Sequence, residues 1–293
     1  MAKPATSHPM RLWSFGLVLL FLSLLSFGVS SCKKDSSAPG EDQDAVANVK
    51  LATSATLGKH LTDANGNTLY FFARDVDGAN TCTSATCNPL WPVYYEANVK
   101  VPKALKAEDF ATKTTTDGRP QTTYKGWPLY YYAPAASGVF TREAPGATGG
   151  NGIGSVWHVV NPGYGVVLAS KIVEDKTTHV MANRSYLVDA NGRTLYFFAK
   201  DNNATPAAQA TSCTSGCAAI WPAFYLSGPT VPSSLKASDF GTITRDANSA
   251  GAREQLTYKG RPLYYFAADG ATRGKVEGHN LDDSGDKWFA AAP

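Results

Sequence analysis

Beyond residue 31, apolar and polar positions alternate over short runs broken by Gly, Pro, Asn and Asp. No long run repeats every 3.6 residues, so the period is that of strands. "LTDANGNTLYFF" (61–72) sets Asn65-Gly66 between two apolar runs, a strong hairpin signal in which both turn residues are expected at positive φ. Leu69 and Phe71 then point to one face and Tyr70 and Phe72 to the other, as in a strand covered on both sides. "TYKGWPLYYY" (123–132) predicts a turn at Lys125-Gly126, and "ATKTTTDGRPQTTY" (111–124) a hairpin turning at Asp117-Gly118. "LKAEDF" and "LKASDF" each suit one short helical turn. The pattern predicts an all-β protein.

The same elements occur twice. "DANGNTLYFF" (63–72) returns as "DANGRTLYFF" (189–198), and "CTSATCNPLWP" (82–92) as "CTSGCAAIWP" (213–222). "VPKALKAEDF" (101–110) matches "VPSSLKASDF" (231–240), "TYKGWPLYYY" matches "TYKGRPLYYF" (257–266), and "SVWHVVNP" (155–162) matches "DKWFAAAP" (286–293). The order of landmarks is conserved between copies, which implies tandem homologous β-domains over 45–162 and 163–293 rather than a solenoid of small repeats. Each domain is expected to be sandwich- or barrel-like, built from hairpins. The alternative is one propeller-like fold made from four half-repeats. A half-repeat is visible as a G-x-[TP]-L-Y pattern followed by an acid: Tyr70…Asp75, Tyr196…Asp201 and Tyr264…Asp269. At the fourth position, Tyr130 is followed by Ala135, and the acid is missing.

The first residues form an address. Lys3 and Arg11 precede the apolar run "LWSFGLVLLFLSLLSFGV", and "VSSC" ends at Cys32. This is the basic, apolar and small-residue order of a secretory signal over 1–31. It also resembles a bacterial lipobox, with a start like those of Bacteroidetes lipoproteins, which implies Cys32 as the lipidated residue. Residues 32–44 are then the lipid anchor and a polar tether. The expected location is the cell envelope, through the outer membrane.

Composition narrows the reading further. The 293 residues are 43% hydrophobic and 17% charged, enough to bury a core, and the formal charge is +3 before a signal carrying Lys3 and Arg11 is removed. No block of Lys and Arg suits phosphates, so nucleic acid is set aside. The expected partners are the membrane, through the lipid, and an envelope protein or glycan.

The G-x-T-L-Y block, the paired Cys before Trp-Pro, the T-Y-x-G-x-P-L-Y block and the late Trp together resemble the bacterial secreted-repeat lipoproteins with a Y-x4-D motif. That resemblance covers essentially all of the mature chain. It implies an envelope lipoprotein and carries no reaction with it.

Four cysteines remain after Cys32, in matched pairs Cys82/Cys87 and Cys213/Cys217. In an oxidising compartment they are expected as one local disulfide in each domain. One zinc site using all four thiolates is the alternative, and it would bring these loops of the two domains face to face. His does not follow the second Cys of either pair, and neither spacing is that of a thioredoxin motif. The five His are scattered, with no metal-ligand spacing among them, and no cofactor or catalytic group is assigned. Tyr70, Asp75, Tyr196, Asp201, Tyr264 and Asp269 are candidate ligand-binding residues. Against that stands the reading of Asp as a residue that closes a strand by bonding backbone N–H groups in the turn that follows. The remaining aromatics are expected to fill the core rather than to form a sugar platform. The function expected is a non-catalytic binding or structural module, with envelope redox or metal handling as the alternative.

Overall fold

In the computed structural model, the residues described are 42–201, 211–213, 216–245 and 254–293; the signal, Cys32 and most of the tether lie outside them. Backbone conformation at the turns decides the local pairing. Lys125 and Gly126 both adopt positive φ (47° and 77°), as do Lys259 and Gly260 (49° and 77°), and each pair reverses the chain between two strands. At "DANG" only the glycine does so, Gly66 at 85° and Gly192 at 81°. The expectation of two positive-φ residues is therefore met at Lys-Gly and not at Asn-Gly. The reason lies in the Asp that opens the turn. Asp63 Oδ1 accepts from the N–H of Asn65 and of Asn67, each at 2.9 Å, and this Asx arrangement lets Asn65 keep negative φ.

The first copy begins with the hairpin β1 (Val49–Ser54) and β2 (Gly58–Asp63). The next strand, β3 (Tyr70–Phe72), follows a turn tied to β2 by the Thr62–Thr68 bridge and by the bonds from Asp63 N–H to Asn67 C=O and from Leu69 N–H to Leu61 C=O. Its ladder partner is the late strand β9 (Trp157–Val159), so "LTDANGNTLYFF" is a turn between two hairpin systems rather than one regular hairpin. Between them, β4 (Phe110–Thr114), β5 (Pro120–Tyr124) and β6 (Trp127–Pro128) form a meander, with β4 and β5 turning at Asp117-Gly118 as expected. A short pair, β7 (Ala135–Ala136) and β8 (Val139–Phe140), precedes β9.

The second copy repeats the plan: hairpin β10 (Val166–Glu174) and β11 (Met181–Asp189), then β12 (Tyr196–Phe198), and the meander β13 (Phe240–Thr244), β14 (Glu254–Tyr258) and β15 (Arg261–Pro262). Strand β16 (Leu281–Asp283) joins β17 (Asp286–Ala290), the partner of β12. Among the described residues the helices are short, including α1 (Cys87–Leu90) and α2 (Cys217–Ile220), with single 3-10 turns at Ala107–Asp109 and Ala237–Asp239 where "LKAEDF" and "LKASDF" predict them. The protein is all-β, carried by antiparallel sheets of two or three strands, and none of the described sheets closes into a barrel.

The two copies are packed into one unit, Glu41–Pro293, and one buried apolar cluster contains residues of both. Tyr164 meets the edge of Phe71 at 6.5 Å between ring centroids, and Trp127 Nε1–H donates to Ala190 C=O at 3.0 Å. Arg273 lies over the Trp127 ring at 4.8 Å and donates through Nη1 to Lys125 C=O at 2.5 Å and to Asn191 C=O. A Cβ on Gly126 or Gly192 would stand 3.0 Å and 2.9 Å from the Arg273 guanidinium carbon, so these glycines clear its slot. At the start of the first copy the chain is already tied down, with Gln43 Nε2–H donating to Val101 C=O and Lys103 N–H to Asp44 Oδ1.

Candidate functional site

The recurring tyrosines meet in pairs. Tyr70 and Tyr130 lie opposite each other and exchange both backbone N–H···O=C bonds at 2.9 Å; Tyr196 and Tyr264 do the same at 2.8 and 3.0 Å. This pairing brings each phenol to the acid of the other segment. Tyr130 donates to Asp75 Oδ2 at 2.5 Å, Tyr264 donates to Asp201 Oδ2, and Tyr196 donates to Asp269 Oδ2 at 2.5 Å. The sequence motif pairs Tyr70 with Asp75, Tyr196 with Asp201 and Tyr264 with Asp269. In space the partners are crossed.

The crossing also resolves the missing acid. Tyr70 donates to Glu143 Oε1, so a glutamate further along the chain takes the place left by Ala135. Motif spacing conceals Glu143, because the β7–β8 pair is inserted between it and Tyr130.

The second oxygen of every carboxylate closes the loop that follows. Asp75 Oδ1 accepts from Thr81 N–H at 2.8 Å and from Thr81 Oγ1–H at 2.6 Å. Asp201 Oδ1 accepts from Ser212 N–H at 2.6 Å, Asp269 Oδ1 from Glu277 N–H at 3.0 Å, and Glu143 Oε2 from Gly149 N–H at 2.8 Å. Each acid thus clips a strand-end loop to a tyrosine on the facing segment. The six candidate residues are all buried, with Asp269 the most exposed at 5%. Tyr196 and Tyr264 bond to Asp269 and Asp201, Tyr70 to Glu143 and Asp75 to Tyr130, and each of the three Asp also accepts from a backbone N–H of the loop that follows, which is the strand-closing arrangement.

Burial governs the electrostatics. It pushes the Asp75 carboxyl up to about 7, against the opposing pull of the Thr81 and Tyr130 bonds. Burial likewise raises Asp201, Asp269 and Glu143. The partner phenols are raised as well, first by burial and then by the adjacent carboxylate, so they act as donors throughout the physiological range.

Around each pair of clips stands an aromatic wall. Phe72, Trp157 and Trp91 stack in series at 4.1 and 3.8 Å, and Phe198, Trp288, Trp221 and Phe266 at 4.3, 3.8 and 4.2 Å. The four Trp are buried, so these rings are core. Gly150 and Gly278 sit against them: a Cβ there would approach Tyr70 at 2.9 Å and Tyr196 at 2.8 Å, while their N–H groups donate to those same hydroxyls at 3.3 Å.

The cysteines pair locally. Cys82–Cys87 and Cys213–Cys217 are disulfides with Cα separations of 5.4 and 5.3 Å. The helical turn begun by each second Cys leads into Trp91 or Trp221, whose N–H bonds back to the Cys87 or Cys217 carbonyl at 2.8 Å. The bridge therefore sets where the Trp enters the stack. With all four sulfurs bonded in pairs, the four-thiolate zinc arrangement is not formed.

Two acids at the site were not singled out by the sequence pattern. Asp63 Oδ2 accepts from Tyr131 O–H, and Asp189 Oδ2 from Tyr265 O–H, both at 2.9 Å. Both lie inside the "DANG" stretch, and its repetition was the available signal.

Three stretches, residues 111–135, 182–224 and 244–292, match the model of a family described as a secreted repeat of unknown function. They contain Tyr130, the Tyr196–Asp201 segment with the second Cys pair, and the Tyr264–Asp269 segment. No curated protein and no solved structure matches the chain. A secreted repeat accords with an extracellular or envelope location, and among the described residues no helix is long and apolar enough to cross a membrane.

Proposed function

We propose, for a chain built of this secreted repeat, that it is a lipid-anchored envelope protein whose two copies serve as a non-catalytic binding or structural module. The observation that carries this is the use of the recurring residues. The groups repeated most faithfully, tyrosine, acid, Trp and paired Cys, bond to one another within the core. Repetition therefore preserves a rigid scaffold, and what varies is left to the surface. The lipid would sit on Cys32, a short polar stretch before the first residues that bond to the first copy.

Two measurements test the reading. Replacing Cys32 with Ala is expected to abolish incorporation of labelled fatty acid; labelling that persists in the variant removes the anchor. Elemental analysis of purified residues 33–293 is expected to give no stoichiometric metal. A metal bound one to one would favour the metal-handling alternative instead.

A further inference from the structure

The contact between the two copies is a docking surface used once and present twice. In the first copy it is made by Phe71, Tyr124, Lys125, Trp127, Val160 and Asn161, and the second copy covers it with Tyr164, Val167 and Ala190, leaving a gap of about 30 Å³. The equivalent positions of the second copy are Phe197, Tyr258, Lys259, Arg261, Ala291 and Ala292. Five of these six, all but Ala291, line a cavity of about 430 Å³ together with Phe289, Ala290 and Pro293. Burial reports the same difference. His158 and Asn161 are buried in the first copy, whereas their counterparts Phe289 and Ala292 are half-buried and exposed.

A polar contact follows the same rule. Asn151 Nδ2–H of the first copy reaches across to Ser233 Oγ of the second at 3.1 Å. Its counterpart His279 lines the open cavity and holds a buried ring nitrogen, Nδ1, that has no partner.

The geometry points to this face of the second copy as a socket for the leading face of another module of the same repeat, distinct from the first copy described here. The established contact supplies the template: the occupant presents an aromatic and a branched apolar side chain, as Tyr164 and Val167 do, and a free turn carbonyl, as Ala190 does. This deepens the binding-module reading, on which it rests.

The leading face of this chain's own first copy does not meet that description. Ala47 stands where the second copy has Tyr164, Lys50 where it has Val167, and Pro145 where it has Arg273. The carbonyl of Ala64, equivalent to that of Ala190, is already taken by Lys50 Nζ at 2.9 Å. Lys50 would also enter a socket rimmed by Lys259 and Arg261, a like-charge contact. Arg261, in the place of Trp127, covers Phe197 at 4.3 Å. Its guanidinium favours an occupant that is neutral or acidic where this chain carries Lys50.

The test uses residues 33–293 and a variant carrying Lys50→Val and Pro145→Arg, both at exposed positions. Light scattering after size exclusion is expected to show the native chain as a monomer up to about 100 μM and the variant associating at least roughly tenfold more strongly. Adding Ala292→Lys, which places a cation in the socket, is expected to return the variant to monomer. A double variant that melts like the native chain and stays monomeric overturns the socket, while leaving the anchor and scaffold reading standing. If it does not fold, Lys50→Val alone is measured by the same criteria. Native self-association that Ala292→Lys abolishes overturns the exclusion of the first copy as the occupant.

Discussion

Removing the Tyr130 hydroxyl isolates one clip. Tyr130→Phe deletes the 2.5 Å bond to Asp75 Oδ2 and leaves that oxygen, in a residue with no solvent exposure, without its donor. The cost depends on the charge of Asp75, whose folded carboxyl is pushed from 3.8 to about 7 by burial. Between these values the folded protein binds more protons than the unfolded chain, so stability is full below the lower value and falls as pH rises towards the upper one. A rise of this size corresponds to about 4 kcal/mol over the window as an order of magnitude. The Tyr130 bond holds the Asp75 value down, so its loss raises that value further and extends the window above neutrality. Tyr130→Phe is therefore expected to cost about 1 kcal/mol near pH 5, where a neutral acid loses a neutral bond, and about 2–3 kcal/mol near pH 8, where the bond is to a charge. Asp75→Asn mimics the protonated acid, with the Tyr130 hydroxyl turned to accept, and should flatten the dependence. Urea denaturation of the native chain and both variants at the two pH values supplies the comparison. Equal costs for Tyr130→Phe at both values, or a native-like pH profile in Asp75→Asn, would refute the reasoning.

His158 gives the opposite sign: burial lowers it from 6.5 to about 4, against the opposing pull of the Ser155 backbone, so the unfolded chain binds the extra proton and stability falls as pH drops through that interval. His158→Phe, the residue the second copy uses, should remove that acid loss, on the order of 3 kcal/mol, in melts followed from about pH 7 to pH 4; an unchanged acid limb would count against it. Each disulfide closes a short loop, so replacing both Cys82 and Cys87 with Ala is expected to cost about 2 kcal/mol while the domain stays folded, and non-reducing peptide mapping should recover both bridges; free thiols at these positions would contradict the assignment. Residues 42–162 and 163–293, expressed apart, should each unfold cooperatively but melt below the joined chain, because the Tyr164, Trp127 and Arg273 contacts are lost. Failure of both halves to melt cooperatively would show that the copies are interlocked.

Much of the architecture was legible because local chemistry dictates it. Asp117-Gly118 and Lys125-Gly126 announce their turns, and Cys four or five residues apart in an exported chain announce their bridges. The Tyr and acid spacing was equally visible, yet the bonds it suggests are not the bonds made. Each clip depends on Tyr70 facing Tyr130, or Tyr196 facing Tyr264, a long-range pairing that no local spacing encodes. Glu143 was hidden for the same reason. The turn at "DANG" departs from the Asn-Gly expectation because the Asp63 side chain, rather than the dipeptide, sets its backbone. The hairpin β10–β11 is not announced by the repeat, because its outer part, from Ile172 to Asn183, has no counterpart in the first copy.

The crossed clips are the centre of this account, and a pair of double-mutant cycles addresses them directly. Tyr196→Phe is combined with Asp269→Asn in one cycle and with Asp201→Asn in the other, each followed by denaturant unfolding. The account predicts a coupling of about 1–2 kcal/mol between Tyr196 and Asp269, whose oxygens lie 2.5 Å apart, and less than about half of that between Tyr196 and its motif partner Asp201. A larger coupling to Asp201, or none to Asp269, would contradict it.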